Sequence, residues 1–296
     1  MSGGPDSLAP LLLAHAAFPG RVEAATVDHQ LRAESAAEAA LVAGICHERG
    51  ITHAILLPPS PITGSLQSSA RTMRYALLDE WRQARQIDWL MTAHHADDQA
   101  ETLLMRLNRG SGVDGLSGIR ARNGVILRPL LNVRRADLFT SLMEMEPDVA
   151  SKAVADPSNS DEHYDRARIR ARLAAAPDDL VDVTGFTHSA AALADAQAAL
   201  DWMATRLVSD HLVAADGAVT LDPAGLPTEM LRRLSLMALA RIDSGANPRG
   251  IALSHALTLL ENRKSAMLGN ILIRPAKRGA PRWTFSKAPP RRPNSA

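Results

Sequence analysis

The chain has 296 residues, 46% hydrophobic and 22% charged, with a formal net charge of +1; this ordinary globular composition suits one large α/β domain or two domains. No apolar run approaches the roughly 20 residues that span a bilayer, and no basic segment followed by an apolar core opens the chain, so a cytoplasmic protein is expected. The single cysteine, Cys46, excludes an intramolecular disulfide, a cysteine-based metal site and any mechanism that needs two thiols.

The chain opens MSGGPDSLAPLLLAH. Two glycines let the backbone turn tightly and bring its amides close to an anion, and the apolar stretch behind them reads as a helix whose positive end faces the same point. This is a phosphate-binding turn without the Gly-Lys-Ser/Thr ending of a Walker A loop. Such turns follow a buried strand, yet only Met1 precedes this one. The expectation is a start further upstream, with Met1 standing at an internal strand position.

Apolar runs then alternate with helical patterns. Val22 to Val27 reads as a strand ending at Asp28; Glu34 to Gly50 as a helix stopped by Gly50, with Ser35 and Glu38 as its capping box; Ile51 to Leu57 as a strand. A loop rich in Pro, Ser and Gly precedes a helix from Gln67 to Arg85, a strand from Ile87 to Ala93 and a helix from about Ala96. Gly124 to Leu131 supplies another strand and Arg134 to Glu146 another helix. This order predicts a parallel sheet with helices on both faces, its ligands at the carboxyl ends of the strands.

Past Pro177 the texture changes. Ser189 to Val208 is an alanine-rich helix approached by Asp179 to Gly185; it leads to a small α+β region with strands in AVTLD, ILIRP and RWTFS and helices from about Glu229 to Ile242 and Pro248 to Leu260. The expected domains are 1–176, a helical linker 177–212, and 213–296. From Asn262 onward there is no acidic residue while lysines and arginines accumulate, a pattern that fits either nucleic-acid phosphates or a solvated end.

The polar clusters fall at strand ends. VDHQLRAES (27–35) offers Asp28, His29 and Arg32 to a nucleotide. TAHHADDQAETLLMRLNRGSG (92–112) brings His94, Asp98 and Glu101 to one helical face, and carboxylates so placed can hold Mg²⁺ with substrate phosphates completing its shell. The bland alternative is an acidic helix start favoured by the dipole. In ADPSNSDEHYDRARIRARL (155–173), Arg166 and Arg170 share one face and Arg168 and Arg172 another; they suit RNA phosphates or pairing with Asp161, Glu162 and Asp165.

Together SGGPDS, VDHQLRAES, ARTMRYALL, TAHHADDQAET, RGSGVDGLSGI, RPLL and DPSNSDEHYDRARIR, in that order, resemble the tRNA(Ile)-lysidine synthase family over the first domain. The resemblance implies an adenine nucleotide alpha hydrolase-like fold and two substrates besides ATP: L-lysine and an isoleucine tRNA with a CAU anticodon. It also leaves a homodimer open. Ser2, Gly3, Gly4, Pro5, Asp6 and Ser7 would hold pyrophosphate, with Asp28, His29 and Arg32 lining the nucleotide site. Asp6 and Asp98 would organise Mg²⁺; Asp97, Asp98 and Glu101 would serve Mg²⁺ or the lysine ammonium, and a carboxylate or His95 would take its proton. Arg71, Arg74, Arg109, Arg166, Arg168 and Arg170 would reach tRNA, and the glycine-rich loop from Arg109 to Gly118 would close over substrates. Rival readings are a tRNA-thiolating or amide-forming enzyme with the same loop, or a non-catalytic derivative.

Overall fold

In the computed structural model the described residues are 1–30, 34–59, 66–154, 165–177 and 181–289. Arg32, Asp161 and Glu162 lie outside them. The chain divides into two compact units, residues 1–194 and 195–296.

In the first unit, Gly3 turns the backbone at φ +75°, a conformation glycine adopts without steric cost, and Pro5 opens helix α1 (Pro5–Ala17), where its missing amide is no loss. Strand β1 (Glu23–Val27), helix α2 (Ser35–Glu48) and strand β2 (Thr52–Leu56) follow. The α2 N-cap position is Glu34, one residue before the serine of the expected capping box. Gly50 stops the helix at φ +65° as its sequence position suggested. Next come helix α3 (Leu66–Ala84), strand β3 (Leu90–Met91), helix α4 (Ala96–Asn108), the short α5 (Val113–Leu116), strands β4 (Arg122–Asn123) and β5 (Ile126–Leu127), and helices α6 (Arg135–Met145), α7 (Pro147–Lys152) and α8 (Asp165–Ala174).

Two strands are shorter than their apolar runs. Ile87 is tied back to the end of α3, its amide donating to Arg82 and its carbonyl accepting from the Arg82 guanidinium, so pairing begins only at Leu90. Gly124, at φ +58°, bends residues 122–127 into a hairpin, and of the strand expected from Gly124 to Leu131 only Ile126–Leu127 pairs. The parallel sheet is present in two pieces: β1 beside β2, and β3 beside β5 with β4 antiparallel on its far edge. Leu8, Leu12, Ile45, Leu138, Leu142 and Val149 pack α1, α2, α6 and α7 together, while Leu11, Ala24, Val42, Cys46 and Ile51 join α1, α2 and β1.

Helix α9 (Val183–His211) is longer at both ends than the alanine-rich run. In the second unit β6 (Leu212–Ala215), β7 (Ala218–Leu221), helices α10 (Thr228–Ile242) and α11 (Gly250–Glu261), β8 (Ala266–Leu268), β9 (Ile271–Pro275) and β10 (Trp283–Lys287) form an antiparallel sheet ordered β6-β7-β10-β9-β8. The core under α10 and α11 centres on Leu221, Leu234, Leu239, Leu253, Ile271 and Phe285. Strands β6 and β8 were not anticipated: both are edge strands, and β6 buries only Leu212.

Phe285 is fully buried, and Phe285→Ala is expected to lower the stability of the second unit by about 3–5 kcal/mol. Native-state hydrogen exchange should show faster exchange at β7 and β9 amides, with those of α1 and α2 unchanged.

Candidate active site

The opening turn faces a cavity of 1460 Å³ whose walls include Ser2, Gly4, Asp6, Ser7, Asp28, His29, His94, His95, Asp98, Arg71, Arg74, Arg166 and Arg170. The turn is internally braced. Ser7 Oγ donates to the Gly4 carbonyl at 3.0 Å and lies 3.2 Å from Ser2 Oγ, and the Ser7 and Leu8 amides both donate to Gly4. From outside, the Val154 amide donates to the Gly3 carbonyl at 3.0 Å. A Cβ on Gly4 would come within 3.3 Å of the Val154 carbonyl, a contact tighter than most side chains make, so glycine suits the close approach. Asp6 stands on the first turn of α1, where Oδ1 accepts from Arg135 at 2.9 Å.

At the end of β1, Asp28 is buried and its Oδ1 accepts the Gln30 amide at 2.8 Å, holding Gln30 at φ +56°. His29 lies beside it, and burial, reinforced by the Arg74 charge, pushes its pKa down.

The start of α4 is a reciprocal cap. His95 N donates to Asp98 Oδ2 at 3.1 Å and the Asp98 amide approaches His95 Nδ1 at 3.4 Å. The two histidines diverge electrostatically. Burial holds His94 down to about 4, the Arg128 charge adding to it against Asp98, and its Nδ1 meets Thr92 Oγ1 at 2.9 Å. For His95 burial is outweighed by bonding to Asp97 and by the charges of Asp98 and Asp6, and its pKa rises. Asp97 accepts the Arg135 amide at 2.7 Å and the Arg134 guanidinium at 3.4 Å. Those bonds and the His95 contact overcome burial and hold its carboxyl far below the usual range. Asp97 therefore joins α4 to α6, and it does not line the cavity.

Glu101 is 1% exposed. Arg166 Nε reaches one oxygen at 2.7 Å and Arg170 Nε the other at 2.6 Å, while Arg166 also donates to Asp98 Oδ1 at 3.0 Å. Two guanidiniums thus neutralise two carboxylates, and α8 is fastened against α4. Of the six arginines expected to reach RNA, Arg166 and Arg170 turn inward, Arg168 and Arg109 are exposed, and Arg71 and Arg74 flank the Tyr75 ring at 5.2 and 5.8 Å. Among the described residues no group of three or more His, Cys, Asp or Glu is gathered as a metal site.

Sequence reasoning passed over Arg134, Arg135, Gln99 and Tyr75. A pair of arginines opening a helix, where the dipole disfavours cations, was the legible signal; their partners are Asp97 and Asp6. Gln99 is buried and binds both the amide and the carbonyl of Ile119, pinning the glycine-rich loop at Gly118, whose φ is +65°.

Residues 1–176 match the ATP-binding family described as "PP-loop domain". Similar curated proteins are the tRNA(Ile)-lysidine synthases of Zymomonas mobilis, 40% identical over 99% of this chain and 88% of the relative, and of Novosphingobium aromaticivorans, 44% identical over 99% and 89%. That of Ruegeria pomeroyi is 42% identical over 92% of this chain and 67% of its own length. Among solved structures, the U34-tRNA thiolase NcsA from Methanococcus maripaludis with its 4Fe–4S cluster is similar in fold, at a TM-score of 0.51 and 16% identity over 64% of this chain and 67% of that one.

Glu101→Gln leaves Arg166 and Arg170 partly unneutralised, and urea denaturation is expected to read a loss of about 3–5 kcal/mol. His94, neutral in the fold down to about 4 but near 6.5 when unfolded, takes its proton first in the unfolded chain. Its contribution therefore falls as pH drops from 6.5 toward 4. Thermal midpoints across that range should decline less steeply in His94→Gln.

Proposed function

We propose that this chain, which belongs to the tRNA(Ile)-lysidine synthase family, uses ATP to join L-lysine to C2 of the wobble cytidine of an isoleucine tRNA with a CAU anticodon. One observation carries the reading: a near full-length likeness to these enzymes coincides with a phosphate turn and a charged carboxylate–guanidinium pair on one cavity. In the first step the cytosine O2 attacks the α-phosphate of ATP and pyrophosphate departs. In the second the ε-amino group of lysine attacks C2, AMP leaves with that oxygen, and the amine loses a proton.

The turn Ser2 to Ser7 would receive the pyrophosphate on its amides and on the positive end of α1. Asp28 and His29 stand at the adjoining strand end, where the nucleotide would lie. Asp6 suits Mg²⁺ as a single carboxylate beside phosphate oxygens, because its Oδ2 has no hydrogen-bond partner among the described residues. Asp98 suits it less, with Oδ1 on Arg166 and Oδ2 on His95 N. Bound there, Mg²⁺ would neutralise charge on the phosphates.

Asp98 and Arg166 offer opposite charges, side by side on the cavity wall, to a zwitterionic amino acid. Of the two histidines His94 is the one kept neutral at pH 7, and so the one free to accept a proton transiently from the attacking amine; His95, raised and engaged with Asp97, is the poorer acceptor. Sulfur transfer fits badly, because the only thiol, Cys46, is fully buried inside α2 and absent from the cavity wall.

The test is transfer of radiolabelled lysine to the CAU-anticodon isoleucine tRNA, with methionine tRNA as control. Asp98→Asn keeps an acceptor for His95 N but loses the charge, and product is expected to fall roughly a hundredfold or more, typical of losing one electrostatic contact in a water-poor site. Undiminished product in that variant would sink the role given to Asp98; no lysine transfer by the parent chain would sink the reading itself.

A further inference from the structure

Phosphate turns of the Walker A kind end in a lysine that reaches the β and γ phosphates. This turn has none: from Ser2 to the end of α1 there is no lysine or arginine. The amides of one turn and the dipole of one helix face a leaving group that departs with several negative charges, so a cation from elsewhere in the fold is wanted at the same point. Arg166 and Arg170 are neutralised by Glu101 and Asp98, and Arg71 and Arg74 stand on α3 against the Tyr75 ring. Arg135 is placed differently. It is the first residue of α6, it lines the cavity, and its Nε donates at 2.9 Å to Oδ1 of Asp6, the second residue of α1.

Two features set this contact apart from a structural tie between helices. No tie is needed, because Leu8 and Leu12 of α1 already pack with Leu138 and Leu142 of α6. The contact is also half made. A guanidinium that serves only a carboxylate commonly closes two parallel bonds with it, whereas here one is formed and neither Nη group of Arg135 is hydrogen-bonded among the described residues. With the side chain 43% exposed on the cavity wall, both groups are open to an anion. From behind, the backbone fixes the residue, its amide donating to Asp97 Oδ2 at 2.7 Å. Arg134 shows the contrast: its guanidinium pairs with Asp97, and it does not line the cavity.

We infer that Arg135 binds the pyrophosphate group of ATP, taking phosphate oxygens on its two Nη groups while Asp6 orients it through Nε. The inference rests on the ATP-cleaving reaction proposed above and adds to it the cation that the phosphate turn lacks. When the cytosine O2 bonds to the α-phosphorus, the bond from that phosphorus to the bridging oxygen breaks and its electron pair passes to pyrophosphate. The guanidinium meets that growing charge with a fixed fork of donors. Asp6 is then a positioning residue for Arg135 as well as a neighbour of the phosphates.

The test titrates the full chain calorimetrically with inorganic pyrophosphate and, separately, with AMP, each with and without Mg²⁺. Arg135→Ala is expected to weaken pyrophosphate binding by roughly tenfold to a hundredfold under both conditions, the range for losing a hydrogen bond to a charged group. AMP, which lacks the β and γ phosphates, should bind unchanged. Arg135→Lys keeps the charge and should recover most of the loss. The loss should persist in an Asp6→Asn background, where no bare carboxylate is left to repel the anion. Equal weakening of AMP and pyrophosphate overturns the inference, since that marks a structural role; so does a loss that vanishes with Asp6→Asn, or a parent chain that does not bind pyrophosphate. Neither ligand requires tRNA or lysine. A chain that transfers no lysine yet loses pyrophosphate with Arg135 therefore sinks the substrate reading and keeps this one, and lysine transfer with unaltered pyrophosphate affinity in Arg135→Ala does the reverse.

Discussion

A carboxylate without water must find its counter-charges inside the protein, and Glu101 governs the first unit through that requirement. It sits on α4, whose first turn also carries His95, Asp97 and Asp98, and its two guanidinium partners both come from α8. The helix that follows the undescribed residues 155–164 is therefore anchored at the cavity by charge neutralisation as well as by apolar packing. The same requirement explains why two arginines that look ready for nucleic acid in the sequence face inward. A guanidinium's planar fork can serve two carboxylates at once, as Arg166 does with Glu101 and Asp98.

The second unit contains the mirror image of this device. Arg233 is 6% exposed on α10 and is held by Glu229 one turn earlier, by Asp201 and by the side-chain oxygen of Gln197. Here a buried base recruits acids, where Glu101 recruits bases. Both clusters use long-range partners, 32 to 69 residues apart in sequence, so each links elements that local propensity alone would leave independent.

What could be read from the sequence follows from this division. Features set by near neighbours were legible: the glycine turn before α1, the stop at Gly50, the carboxylates opening α4, the polar groups at the end of β1. Features set by distant partners were not. The inward turn of Arg166 and Arg170 depends on Glu101 lying opposite, and the tether of Ile87 to Arg82 shortens the strand expected from Ile87 to Ala93. Edge strands such as β6 gave little signal because three of its four residues face solvent and carry no alternation. His95 and Asp98 cap α4 reciprocally with a histidine in the place of the usual hydroxyl, a pairing the standard pattern does not describe.

Cys46 illustrates how a chemically idle residue reports on its surroundings. It is fully buried between α1, α2 and β1, and burial pushes its thiol pKa up. In the native state it is thus shielded from solvent reagents and poorly ionised, and the chain contains no second thiol. Labelling by a soluble disulfide reagent can then proceed only through opening of the first unit, at a rate that counts those openings. The protein carries its own clock for the loosening of the region that holds the phosphate turn.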